Sequence, residues 1–415
     1  MKRVAVFVNA LVNKGGVERI VLRLCQKYGA DVFCAQYDPE TTFEEFKKYN
    51  VTCRTRGKKA ARTGILSDIL WFWRLRPGVW DCLNDVFVIG GHDVYVNMGG
   101  IGPLITVLRH RPQVLYACMP IAWLYHRYDQ ELARKHWLVR PLWRVVCECL
   151  RVYDRFLTRR FDRVCVISNT TKENFRKYLG INSHVIYPPT DITGRKPTEG
   201  KYYLWVGRLT AMKRPGLVIE AFRQLPHLRL RVVGGGELFD VLRSVAPPNV
   251  EMVGPVSEEQ LKKEYDGCVA AVFVSTREDF GYVPIEAFAS GKPCIATDEA
   301  GFKETIIPGV TGVLVKDPDI ESVKDAVLWL SPARAMSMRA ACLERATKFD
   351  DVAFFCEMSA TLDLLCNPDY PPYEWQEPMP MPTEYKRERC EDCGRRLLKI
   401  EERVCKSCWS HERSQ

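Results

Sequence analysis

Short β-branched runs alternate with longer amphipathic runs along this chain, and the whole pattern occurs twice. In the first half, strands are predicted at 3–9, 31–35, 94–98, 113–117, 164–167 and 184–187, with helices at 17–28, 41–49, 64–75, 122–158 and 170–179 between them. Pro188-Pro189 through Lys196-Pro197, with Gly194 and Gly200 nearby, reads as a linker. The pattern then restarts, with strands at 202–206, 228–233, 250–253, 269–274 and 293–297 and helices at 213–224, 237–245, 257–266, 283–290 and 320–330. Such alternation requires crossover connections and parallel sheets, so the expected fold class is α/β, with two facing Rossmann-like domains. The expected boundaries are 1–195 for the first domain and 196–366 for the second, with trailing helices at 333–347 and 350–366. Six prolines between 368 and 382 mark 367–389 as a linker, and 390–415 forms a separate small tail.

With 415 residues, of which 47% are apolar and 27% charged, the chain can bury two cores, which excludes disordered and fibrous classes. Thirteen of the 17 cysteines are scattered singly through apolar stretches, the pattern of reduced, buried thiols. The apolar run after Lys2-Arg3 is short and leads to no cleavage site, and 86–108 is interrupted by His92, Asp93, Asn97 and five glycines. A cytoplasmic protein is therefore expected. The net charge of +9 lies in the first half: residues 1–200 carry 32 basic and 18 acidic side chains, against 28 and 33 in the remainder. The excess points to an anionic partner of the first domain.

Ligands of paired α/β domains bind at the carboxyl ends of the strands, so the loops there should carry the chemistry. After the strand at 202–206 comes Gly207-Arg208-Leu209-Thr210-Ala211-Met212-Lys213. Arg208 and Lys213 set two cations beside a helix N-terminus, an arrangement suited to a phosphate or diphosphate; two solvated surface cations is the competing reading. The stretch from Ser275 to Glu286 follows another strand and opens a helix near Val283. Gly281 and the amides after it can turn N–H groups toward a phosphate, Glu286 can accept two hydrogen bonds from a ribose diol, and Glu278 can reach a sugar hydroxyl.

Glu278-x7-Glu286 with its internal Phe280-Gly281, followed by Ala287-x-Ala289-x-Gly291-x-Pro293, resembles the signature of glycosyltransferase family 4, retaining enzymes of the GT-B fold. The resemblance extends over about residues 1–330 through Gly15-Gly16-Val17-Glu18, Val166-Ile167-Ser168-Asn169-Thr170, Val185-Ile186-Tyr187-Pro188-Pro189-Thr190-Asp191, Gly234-Gly235-Gly236-Glu237 and Val253-Gly254-Pro255-Val256. It implies that Arg208 and Lys213 neutralise a donor diphosphate, Glu286 holds the ribose and Glu278 binds the transferred sugar. It also implies that Phe280 belongs to the donor-binding residues, that Gly281, Tyr282 and Val283 offer backbone amides, that Gly16 lets backbone approach the diphosphate, and that Val253 to Val256, including Gly254, flank the base. The family works without a catalytic metal, and the leaving phosphate takes the acceptor's proton. Many members carry His-x-Pro after a strand of the first domain, whereas this chain has Cys118-Met119-Pro120; His126, eight residues on, is the candidate substitute, with a packed or surface histidine as the alternative.

Two acidic and cysteine patterns invite metal readings. Asp317-Pro318-Asp319 looks like a metal-binding pair but sits where a turn and helix cap explain it. Cys390-x2-Cys393 and Cys405-x2-Cys408, eleven residues apart, have the spacing of a structural zinc site with four thiolate ligands. Residues 386–413 mix nine cations with six anions, so the sequence offers no support for nucleic-acid binding.

Between 134 and 163, nine basic residues interleave with Trp137, Leu138, Leu142, Trp143, Leu150, Tyr153 and Phe156. This suits peripheral association with an anionic membrane on the cytoplasmic face, or else an amphipathic helix packed on its own domain. The resemblance implies transfer of a hexose from a nucleotide-diphosphate sugar to an acceptor hydroxyl of a glycan or lipid-linked substrate, and Tyr187-Pro188-Pro189-x-Asp191 resembles mannosyltransferase members, which makes GDP-mannose the first expected donor. UDP-glucose or UDP-N-acetylglucosamine donors, a nucleotide-sugar epimerase and an inactive binding protein on the same fold are the alternatives.

Overall fold

The computed structural model describes residues 2–56, 90–100, 103–276, 278–367, 387–389 and 396–398. The helix expected at 64–75, the Pro-rich stretch at 368–382 and the four tail cysteines lie outside the described residues. The chain forms two compact units: residues 1–165, 175–186 and 354 onward make the first, and 166–174 with 187–353 the second.

The first unit is built on a seven-stranded sheet of β1 (Val4–Leu11), β2 (Asp31–Tyr37), β3 (Val51–Arg56), β4 (Val94–Asn97), β5 (Gln113–Ala117), β6 (Arg163–Val166) and β7 (His184–Val185), in the order β3-β2-β1-β4-β5-β6-β7. Val6 sits opposite Val32 on one side and Val96 on the other, both in parallel register. Val4 to Val8 are all buried, as expected of a central parallel strand covered on both faces. Helix Gly16–Tyr28 packs its buried side, including Ile20, Val21 and Leu24, against this core and ends on Gly29 in the left-handed conformation.

The second unit repeats the plan with β8 (Tyr202–Val206), β9 (Leu230–Val233), β10 (Val250–Gly254), β11 (Cys268–Phe273), β12 (Cys294–Thr297) and β13 (Gly312–Val315), in the order β10-β9-β8-β11-β12-β13. All six residues of β11 are buried. In both sheets the order runs outward from the first strand one way and then reverses, so each has a topological switch point: between β1 and β4, and between β8 and β11.

Several elements differ from expectation for identifiable reasons. The predicted helix at 122–158 is two, Tyr128–Arg134 and Arg140–Thr158, the second starting where Pro141 occupies its first turn. The helix expected at 41–49 is a single 3-10 stretch, Glu44–Lys48. Strand β3 is unanticipated because Val51-Thr52-Cys53-Arg54-Thr55-Arg56 is too polar for a buried strand; it lies at the sheet edge. The trailing helix Asp351–Leu365 gives most of its length to the first unit, where Phe354 meets Tyr116 edge-on at 5.8 Å and Phe355 meets Tyr28 at 5.9 Å. The Tyr28 hydroxyl and Ser359 Oγ share a 2.6 Å hydrogen bond there. Strands Arg387–Arg389 and Arg396–Leu398 pair antiparallel, with Arg389 opposite Arg396. Among the described residues, no helix is long and apolar enough to cross a membrane.

Candidate active site

The switch point of the second sheet brings together the loops that follow β8 and β11. After β8 the chain passes Gly207 and the exposed Arg208, makes a 3-10 turn at Ala211–Lys213 and enters helix Pro215–Arg223 with proline in its first turn. After β11, Thr276 donates from its backbone N–H (3.1 Å) and its hydroxyl (3.3 Å) to the carbonyl of Met212, binding one loop to the other. Lys213 Nζ then forms an ion pair and hydrogen bond with the Glu278 carboxylate, which also accepts from Ser275 Oγ at 3.1 Å. Thr297 Oγ1 donates to the Ser275 carbonyl at 2.8 Å and fixes the base of the loop.

The predicted cation and the predicted sugar-binding carboxylate are thus each other's partners. Their side chains are 24% and 23% exposed, so a ligand can reach both and compete for them.

Behind the pair, Gly281 stands at φ +82°, and an added Cβ would meet the Phe302 ring at 2.7 Å. A side chain there is excluded twice, by conformation and by space. No side chain caps helix Tyr282–Ala289, which leaves its first-turn amides, those of Tyr282 and Val283 among them, directed at the loop. Phe280 is 2% exposed and sits among Tyr187, Tyr282 and Phe349, with ring centroids 5.9, 5.4 and 5.7 Å away. Its place is that of an anchor for the loop rather than a ligand-facing group.

Glu286, one turn into the helix, is buried and accepts a 2.8 Å hydrogen bond from the Tyr265 hydroxyl. Burial, and after it the charge of Glu286, push the Tyr265 phenol well above its ordinary pKa, so it remains a proton donor to the carboxylate. The Arg195 guanidinium lies 5.5 Å from the Tyr265 ring centre. Close backbone packing completes the floor: Gly254 closes β10 and its carbonyl accepts from Gly234 N–H at 2.9 Å, while a Cβ on Gly234 would lie 2.0 Å from the Gly207 carbonyl oxygen.

In the first unit, Gly16 is the first residue of helix Gly16–Tyr28, and the carboxylate of Glu18 fills the space where a Gly15 side chain would go, 2.6 Å from that Cβ position. Across the switch point, the end of β4 is held by buried Asn97. Its Nδ2 donates to the Pro103 carbonyl (2.8 Å) and to Thr106 Oγ1 (3.2 Å), and its Oδ1 accepts from Gly99 N–H (2.8 Å). Cys118 lies half-buried just past β5, and His126 half-buried in the turns that precede helix Tyr128–Arg134.

Tyr265, Ser275 and Asn97 were not anticipated. Asn97 had a readable signal, an apolar strand running into Asn-Met-Gly-Gly, whereas Tyr265 lies in a helix whose sequence says nothing of the strand-end loop it supports. Asp319 is the cap that the sequence suggested: it accepts from Ser322 N–H at 2.8 Å, and the serine hydroxyl meets the Asp319 N–H in return. Among the described residues, no three His, Cys, Asp or Glu side chains cluster as metal ligands would.

Known proteins resemble the chain along most of its length. Residues 14–193 match the model described as Glycosyltransferase Family 4, and residues 191–349 the one described as Glycosyl transferases group 1. The chain is similar to the alpha-1,3/1,6-mannosyltransferase ALG2 of Mus musculus, at 26% identity over 74% of this chain and 82% of the relative. It is likewise similar to ALG2 of Kluyveromyces lactis, at 25% over 80% and 75%. A shorter match, 29% over 37% of this chain and 38% of the relative, is to the D-inositol 3-phosphate glycosyltransferase of Mycolicibacterium smegmatis.

Among solved structures, sucrose-phosphate synthase of Thermosynechococcus elongatus has the same fold with a TM-score of 0.68 at 18% identity, covering 88% of this chain and 99% of that one. Anabaena HepE, crystallised with UDP and glucose, gives 0.67 at 17% identity, over 88% and 100%.

Proposed function

Because the chain is a glycosyltransferase, we propose that it moves a hexose, mannose from GDP-mannose, to an acceptor hydroxyl in glycan or glycolipid assembly, with retention at the anomeric carbon. The observation that carries this reading is the Lys213–Glu278 pair at the β8/β11 switch point. A diphosphate displaces Glu278 from Lys213, so Lys213, with Arg208, meets the charge that grows on the leaving group as the glycosidic bond breaks. The released Glu278 accepts hydrogen bonds from hydroxyls of the sugar. Glu286, held by Tyr265, takes the ribose diol, and the amides of Gly281, Tyr282 and Val283 face sugar and phosphate.

Gly254 flanks the base, and the Gly15-Gly16 turn presents backbone that a phosphate can approach closely. The bond from the anomeric carbon to the phosphate oxygen breaks, the bond to the acceptor oxygen forms on the same face, and the acceptor proton passes to the departing phosphate. No metal is assigned to this step.

Mannose is favoured by the similarity to two mannosyltransferases over about three quarters of the chain and by Tyr187-Pro188-Pro189-Thr190-Asp191 at the end of the first repeat. Thermal-shift titration with GDP-mannose, UDP-glucose and UDP-N-acetylglucosamine tests the donor. A ligand at a hundred times its Kd stabilises the native state by about 2.7 kcal/mol, and GDP-mannose is expected to give the largest shift. A larger shift with a UDP-sugar would reverse the donor assignment. Product analysis with and without acceptor separates transfer from donor-only conversion. His126→Ala tests the proposed stand-in for the missing His-x-Pro histidine: kcat should fall at least tenfold if the imidazole lies near the reacting sugar.

The tail carries a separate proposal: Cys390, Cys393, Cys405 and Cys408 hold one structural zinc. All four donors are thiolates at spacings that suit two knuckles. Zinc would supply the folding free energy that so short a segment cannot gain from a core. Metal analysis of the full chain should find one zinc, lost in Cys390→Ser; an unchanged zinc content in that variant would refute the assignment.

A further inference from the structure

Helix Arg140–Thr158 is fixed to the first unit by one face. Trp143, Cys147, Asp154, Leu157 and Thr158 are buried, Asp154 accepts from the Tyr125 hydroxyl at 2.7 Å, and Arg151 donates to the Leu124 carbonyl at 2.9 Å with its guanidinium 4.3 Å from the Tyr128 ring centre. The opposite face is the unusual one. Leu142, Val145, Cys149, Val152 and Phe156 follow one another at spacings of three and four, which aligns them in one stripe down the helix. All five are exposed, Val145 at 62% and Val152 at 65%, and the residues leading into the helix, Trp137 and Leu138, are exposed at 68% and 59%.

Among the described residues this outward apolar stripe is exposed along its length, with only the Arg160 guanidinium, 4.1 Å from the Phe156 ring centre, laid over part of it, the character of a docking surface. Its borders identify the partner's charge. Arg144, Arg155, Arg159 and Arg160 are exposed around it, and the acidic residue of this face, Glu148, already pairs with Arg151. A groove of about 480 Å³ between Val152, Phe156 and the arginines at 155, 159 and 160 combines apolar walls with cations at the lower end of the stripe. A second copy of the chain would bring the same arginines against these, which like-charge repulsion opposes. An exposed tryptophan beside leucine at one end, an apolar stripe, and arginines along its edge match the layered chemistry of an interface between lipid headgroups and acyl chains.

We propose that this face of helix Arg140–Thr158, with Trp137 and Leu138, docks on an anionic lipid bilayer, the arginines meeting phosphate headgroups and the stripe entering the acyl boundary. The proposal is independent of donor identity, so a failed mannose assignment leaves it standing and its own failure leaves the transferase reading intact.

Flotation of the full chain with vesicles of phosphatidylcholine alone, and of phosphatidylcholine with 30% phosphatidylserine, tests it. Binding is expected to the anionic vesicles, weakening as salt is raised. A Val145→Ser/Val152→Ser/Phe156→Ser variant alters exposed positions only, and its melting temperature should stay at the wild-type value while vesicle binding falls at least tenfold. Arg144→Gln/Arg155→Gln/Arg159→Gln should lower binding by roughly fivefold for each cation removed. Equal binding to neutral and anionic vesicles, or unchanged binding by the serine variant, would overturn the proposal. So would a dimer in light scattering that the serine variant dissociates, since the stripe would then be a contact between copies.

Discussion

The two sheets have one strand order but divide the chemistry unequally. At the second unit's switch point stand charged side chains: Lys213 paired with Glu278, and Glu286 held by Tyr265. At the first unit's, Gly15-Gly16 follow β1 with Lys14 and Glu18 beside them, and Asn97 fixes Gly99 after β4. The net charges run the other way, because the basic excess lies in the first 200 residues. Topology sets where a ligand can bind, and the loop residues set which ligand. The proposed donor site rests on a few placed charges in one unit, and the proposed bilayer contact on the diffuse positive charge of the other.

That contrast can be broken most severely at Glu286. Glu286→Ala should lower transfer by a thousandfold or more while the chain stays folded, read as product formed against the melting curve; activity within tenfold of wild type would remove the carboxylate from the donor site. Lys213→Ala is expected to cost about 10²–10³ in kcat/KM, the scale of losing one preorganised charge-stabilising group, with little change in melting.

Two glycines sharpen the comparison. Gly281→Ala should destabilise by about 2–3 kcal/mol in denaturant titration, from the left-handed conformation and the Phe302 contact together. Gly16→Ala, in the first turn of a helix, should leave stability within about 1 kcal/mol; equal losses would mean that the two turns are constrained alike. Tyr265→Phe should raise the donor KM about tenfold with kcat nearly unchanged, because its hydroxyl positions Glu286 without touching the reacting atoms. Smallest in consequence, alkylation at pH 8 should reach exposed Cys149 and spare Cys268 and Cys342, whose thiols burial pushes up to about 12.

The repeated α/β plan was legible because buried parallel strands are continuous apolar runs: Val4 to Val8 and Cys268 to Phe273 could hardly be anything else. The loop charges were legible because strand, glycine turn and helix start coincide at Gly207 and Gly281. What escaped is what sequence distance hides. Tyr265 supports Glu286 from another helix, and no local pattern announces it. Strand β3 reads as a polar segment because an edge strand needs only part of its residues buried. The basic, aromatic stretch after residue 134 showed its composition in the sequence, but only the structure separates the packed side of the helix from the apolar stripe turned outward.

The exchange of partners at Lys213 and Glu278 is tested most directly by calorimetric titration of GDP and GDP-mannose into wild-type, Lys213→Ala and Glu278→Ala chains. Lys213→Ala should weaken both ligands by a similar factor. Glu278→Ala should weaken GDP-mannose but leave GDP bound as tightly as before or more tightly, since the lysine no longer has to be freed. If Glu278→Ala weakens GDP and GDP-mannose alike, or Lys213→Ala weakens neither, the pair does not hold the donor and the site lies elsewhere.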